Sequence, residues 1–60
     1  MKEYQVYSID QNGVIIGNRV IEAENDDDAV ISVRSMHRPH NTEVWCRDRR
    51  VGRIPGYAGQ

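Results

Sequence analysis

Sixty residues with a single cysteine, Cys46, exclude any disulfide within the chain. A lone thiol fits a reducing interior. Long apolar runs are also missing: polar or charged residues interrupt every one, and no stretch approaches the ~20 residues that cross a bilayer. The opening MKEYQVYSID has no secretory core. A soluble, cytoplasmic protein with no membrane partner is therefore expected. No glycine-rich phosphate loop is present, since Gly13 and Gly17 fall within a hairpin pattern rather than between a strand and a helix. His37, His40 and Cys46 are the only soft metal ligands. Zinc needs at least three protein ligands, so these three would serve only if the loop after the helix folded back on the following strand. A histidine at a helix end and a small, core-like cysteine favour no metal site and no cofactor. No nucleophile has an evident base and orienting group beside it, and so short a chain has little room for a pocket. No catalytic residue is assigned, and the protein is read as not an enzyme.

A chain of 60 residues buries only about 60% of the surface its unfolded form exposes, so its core is marginal. Small domains make up the deficit with disulfides, a metal or a partner subunit.

Charge is distributed unevenly. Residues 1–30 carry two cations against seven anions, a net of −5, and residues 31–60 carry six against two, a net of +4; together they give the formal −1. Such asymmetry serves a polyanion partner, self-association, or attraction between two faces of one fold.

Residues 3–9, EYQVYSI, read as a strand, and Asn12-Gly13 after them is a strong hairpin signal. VIIGNRVIEA returns as the second strand, with Gly17 marking a bulge or bend. A two-residue turn and a longer loop with a glycine bulge bury opposite sets of residues. Tyr7, Ile9 and Ile21 thus compete with Tyr4, Val6 and Val20 for the core, and Val6 and Ile9 are expected to be at least partly buried.

"ENDDDAV" then opens a helix over 26–37. Asn25 is the expected N-cap, with Asp28 three residues on. Neighbouring residues on a helix point about 100° apart, so three consecutive aspartates cannot converge on one ion. Their place at the positive end of the helix explains them instead. Ala29, Val30, Val33 and Met36 or His37 form the apolar stripe, and Ile31 falls off it. Pro39 ends the helix. TEVWCR, 42–47, and RVGRI, 50–54, read as two further strands joined near Asp48-Arg49, so that Cys46 opposes Val51 and Trp45 lies over Gly52.

The fold class is therefore α+β, ββαββ: a four-stranded antiparallel sheet with one helix packed on one face. Residues 1–54 form the domain and 55–60 a flexible tail. One helix cannot cover both faces, so Trp45, Ile54 and one or both of Tyr4 and Tyr7 are expected in an exposed patch beside Arg47, Arg49, Arg50 and Arg53. Trp and Arg are enriched at protein interfaces, and a non-enzymatic, self-associating interaction module, a probable homodimer, is the leading expectation. The alternative is a nucleic-acid-binding module, with the arginine-rich hairpin on phosphates and Trp45 on a base. The acidic first half and a pI near 6.0 weigh against it.

In its N-terminal hairpin, "EAENDDDAV" and "EVWCRDRRVGRI", the chain resembles, over nearly its full length, a group of short bacterial ββαββ proteins of unknown function. That resemblance implies a fold and no mechanism. Similar strand-to-helix junctions occur in antitoxin-like and double-stranded-RNA-binding-like folds. The basic helix N-terminus of the RNA readers is replaced here by Asp26, Asp27 and Asp28, which argues against duplex RNA.

Overall fold

Five elements follow one another: β1 (Lys2–Ile9), β2 (Ile15–Ala23), α1 (Asp26–Arg34), β3 (Asn41–Cys46) and β4 (Arg49–Ile54). The computed structural model describes residues 1–36 and 38–57. All pairings are antiparallel, and the strands lie in the order β2-β1-β3-β4. The chain thus forms a ββαββ, α+β fold. Helix α1 carries it from the β2 edge to β3 on the far side of β1, and packs on one face of the sheet.

The first hairpin takes the longer of its two possible loops. Asp10 N–H donates to the Val14 carbonyl (2.9 Å), and Gly13 N–H donates to the Asp10 carbonyl (3.0 Å). The Asp10 carboxylate also accepts from Asn12 N–H and Val14 N–H, both at 2.9 Å. A side chain that ties down two backbone donors holds a three-residue loop closed, with Gly13 at φ +82° supplying the left-handed step. Beyond the loop the register slips: Ile9 pairs with Ile15 but Ser8 with Gly17, leaving Ile16 as the extra residue. The bulge expected near Gly17 is at this point.

This register decides the core. Tyr4 and Val6 are buried, Ile21 is half-buried, and Val20 is turned outward. Each of the two expected sets is therefore split. Tyr4, opposite Ile21, and Val6, opposite Val44, share the helix-facing side with Ala23. Tyr7 and Ile9, on the other side of β1, are half-buried. From α1 come Ala29 and Val33, both buried, with Val30 at the margin. Ile31 points away, 59% exposed.

Asn25 caps the helix as expected: in extended backbone geometry, its side-chain oxygen accepts from Asp28 N–H at 2.8 Å. The helix is shorter than the 26–37 expected and ends at Arg34. Met36 N–H already bonds the Val33 carbonyl, the tighter spacing of a closing turn. Pro39, four residues beyond Ser35, has no N–H for its carbonyl and would press its ring against that oxygen. His37, the alternative stripe residue, lies outside the described residues.

The second hairpin turns at Arg47-Asp48, not at Asp48-Arg49. Cys46 therefore opposes Arg49 and Trp45 opposes Arg50, correcting the expected partners Val51 and Gly52. Val44 faces Gly52, and Val51 is the extra residue of a bulge. Gly52 allows the helix to approach: a Cβ there would meet Val30 Cγ2 at 3.1 Å.

Past Ile54 the chain stays packed. Gly56 is buried, its N–H donates to Asn41 Oδ1 (2.9 Å), and Tyr57 N–H donates to the Arg38 carbonyl (3.3 Å). The expected tail of 55–60 is thus docked as far as Tyr57, and 58–60 lie outside the described residues. Among the described residues no helix is long and apolar enough to cross a membrane.

Candidate interaction surfaces

The six residues singled out from sequence are divided between the two faces of the sheet. Trp45 is on the open face, opposite Gln5 on β1 and Arg50 on β4, and is half-buried there. Its ring N–H donates to Glu43 Oε1 at 3.0 Å. Arg50 approaches the other oxygen of the same carboxylate at 3.6 Å, and Arg53 is the cross-strand partner of Glu43. Glu43 also faces Tyr7, whose hydroxyl donates to Gln5 Oε1 at 3.0 Å. The open face thus has Trp45 and Tyr7 as diagonal neighbours, two arginines, and one carboxylate set between them. That carboxylate offsets much of the positive field the arginines would present to a polyanion.

Arg49 is on the opposite face. It opposes Cys46 and reaches the first turn of α1, where its guanidinium grips both oxygens of Asp26 at 3.0 and 3.4 Å. The hydroxyl of buried Tyr4 donates to the same carboxylate at 2.7 Å. Arg49 and Tyr4 hold the Asp26 carboxyl below its ordinary value of 3.8. Burial, then the bond to the Asp26 carboxylate, pushes the Tyr4 phenol up to about 12. Asp26 in turn raises the Arg49 guanidinium. These three residues pin the helix N-terminus to strands β1 and β4, so Arg49 acts within the fold. The acidic and basic halves of the sequence meet in this pair.

Ile54 is also misplaced by the sequence reading. It opposes Thr42, which is buried, and packs against the core on the helix side. Tyr4 likewise leaves the expected patch, because the first hairpin's register turns it inward. Arg47 is exposed in the turn with φ +59°, a left-handed backbone unusual for arginine. Asn25 and Asp28 serve the helix cap, and Asp27 is exposed in the same turn.

The idea that His37, His40 and Cys46 could share an ion does not survive the run of β3. His40 precedes its first residue and Cys46 is its last, which in an extended strand sets them roughly 20 Å apart. His37 is outside the described residues. Among the described residues no group of three histidine, cysteine or acidic side chains is placed to hold a metal. An open concavity of about 860 Å³ runs past Lys2, Glu3, Glu22, Arg47 and Asp48. Its charges are mixed.

What the sequence reading missed is the apolar surface of β2. Val14, Ile15, Ile16 and Val20 are all about half exposed or more, and β2 forms one edge of the sheet. The signal was present as VII followed by VI, but a strand's alternation does not say which side the helix will cover. No protein family, curated protein or solved structure matches this chain.

Proposed function

We propose that this chain is a non-enzymatic interaction module that self-associates as a symmetric dimer. The observation that carries this is the apolar surface left bare by a four-stranded sheet with one helix: Ile15, Ile16 and Val20 are 57%, 49% and 57% exposed on neighbouring stretches of one strand. Clustered exposed apolar side chains mark contact surfaces, whereas single ones do not. The small core supports the same reading. Six apolar side chains are buried among the described residues, and Cys46 is a free thiol, so neither a large interior nor a disulfide compensates for size. A reducing, cytoplasmic location and kinship with the short bacterial ββαββ proteins belong to the same proposal. Size-exclusion chromatography with light scattering tests it. A dimer should appear at twice the 6.9 kDa of one chain, and a folded monomer at micromolar concentration rejects the proposal.

One arrangement favours a second reading. Trp45 and Tyr7 share the open face with Arg50 and Arg53, and aromatic side chains beside arginines on an exposed sheet suit single-stranded nucleic acid. Glu43 in their midst argues for the first. Binding of a single-stranded oligonucleotide that falls steeply with salt and is lost in R50E/R53E would favour the second reading; salt-insensitive or absent binding rejects it.

A further inference from the structure

The two edges of this sheet are built differently. β4 has six residues, contains a bulge at Val51, carries Arg49, Arg50 and Arg53, and is followed at once by Pro55. A short, bulged, charged strand running into proline is how sheets discourage further pairing. β2 also has a bulge, at Ile16, but it is longer, at nine residues, and has no lysine and no proline. Its residues from Ile15 to Val20 are all exposed, and Arg19 is the one charge in that stretch. At about 3.3 Å per residue β2 is roughly 30 Å long, close to the molecule's longest dimension of 32 Å. Strands leave alternate backbone groups unpaired along such an edge.

We infer that the dimer contact is this edge: β2 pairs antiparallel with β2 of a second copy, joining two four-stranded sheets into one of eight strands. The inference rests on the self-association proposed above and specifies where it occurs. The occupant follows from the sequence of the strand. Ile15-Ile16-Gly17-Asn18-Arg19-Val20-Ile21 reads nearly the same in polarity from either end of Asn18. A two-fold axis at Asn18 brings Val20, on the open face opposite Gln5, to the partner's bulged Ile15-Ile16 end, where Ile15 also lies on the open face, opposite Ile9. Arg19 then falls beside the partner's Gly17, so no like charges oppose one another. Antiparallel partners directly opposite share a face, so both helices remain on one side of the joined sheet. A second copy is the occupant whose strand has this length and this mirrored pattern.

Amide hydrogen exchange on the wild-type protein, read together with its mass, tests the inference without relying on a variant that might not fold. In the dimer, successive amides over Gly17–Ile21, the regularly paired part of the strand, should all be protected. On dilution to monomer the outward alternate set should lose protection by about tenfold or more, while the set bonded to β1 keeps it. The exposed pair I16K/V20K should leave a folded monomer, and W45E should still form the dimer. A dimer whose outward β2 amides exchange freely, and which survives I16K/V20K, overturns the edge assignment and leaves self-association standing. A wild-type monomer at all concentrations overturns both.

Discussion

Gly56→Ala is the substitution for which the structure makes the sharpest demand. Gly56 is buried beneath the loop that joins α1 to β3. A Cβ there would lie 2.7 Å from the His40 carbonyl oxygen, and closer still to the Pro39 carbonyl oxygen and the His40 carbonyl carbon. All three atoms are backbone, so no side chain can swing aside. One outcome is that the loop shifts, at the ~1–3 kcal/mol typical of overpacking. The other is that the docked segment leaves, forfeiting the bonds from Gly56 N–H to Asn41 and from Tyr57 N–H to Arg38. At ~0.5–1.5 kcal/mol for each hydrogen bond, that route costs a similar amount. The expected loss is thus about 1–3 kcal/mol, against a total of ~3–9 kcal/mol for a domain of this length. Equilibrium unfolding in urea at fixed protein concentration measures it. With a slope of ~1 kcal/mol/M the midpoint should fall by about 1 M or more. Gly56 does not occupy the left-handed region. An unhindered alanine would therefore stabilise by ~0.4–1 kcal/mol through the unfolded chain. Equal or greater stability of Gly56→Ala would refute the packing of this segment.

Asn25→Ala removes the acceptor of the Asp28 N–H bond and should cost ~1 kcal/mol in the same assay; Asn25→Ser should recover most of it. The Asp26 carboxyl is held below 3.8 by Arg49 and then by Tyr4, so its contribution is fully present above that value and is lost as pH falls through the lowered one. Asp26→Asn should remove that component of the acid limb, seen as a wild-type-minus-variant stability difference that shrinks on acidification; a pH-independent difference would contradict the assignment. Tyr4 runs the other way: its phenol is raised from 10.0 to about 12, so its contribution holds below 10.0 and disappears as pH rises through about 12. Of the three tyrosines, one should ionise late in a phenolate absorbance titration, and that late step should be missing from Tyr4→Phe.

The elements and the helix cap were legible because the forces behind them act over a few residues. Asn12-Gly13, Asn25 with Asp28, and Pro39 each bias the backbone of their own neighbourhood. Register was harder, because it turned on whether the Asp10 side chain would close a three-residue loop, and one residue of slip exchanges the faces of a strand. That choice placed Tyr4 under the helix and Val20 outside. The same reasoning explains the second hairpin, where a turn at Arg47-Asp48 sent Arg49 to Asp26 and left Arg50 with Glu43.

From the sequence alone came the order of elements, the single helix with its acidic start, and the conclusion that one helix would leave part of a four-stranded sheet bare. Tertiary structure decided which part. Asp26 meets Tyr4 and Arg49 across 22 and 23 residues of chain, and no local propensity encodes a contact between groups so far apart. The candidate surface moved for the same reason. Exposure depends on which strands end up at the edges and which face the helix occupies, and the fold packs a partly buried Ile54 against the core while leaving Ile15, Ile16 and Val20 in the open.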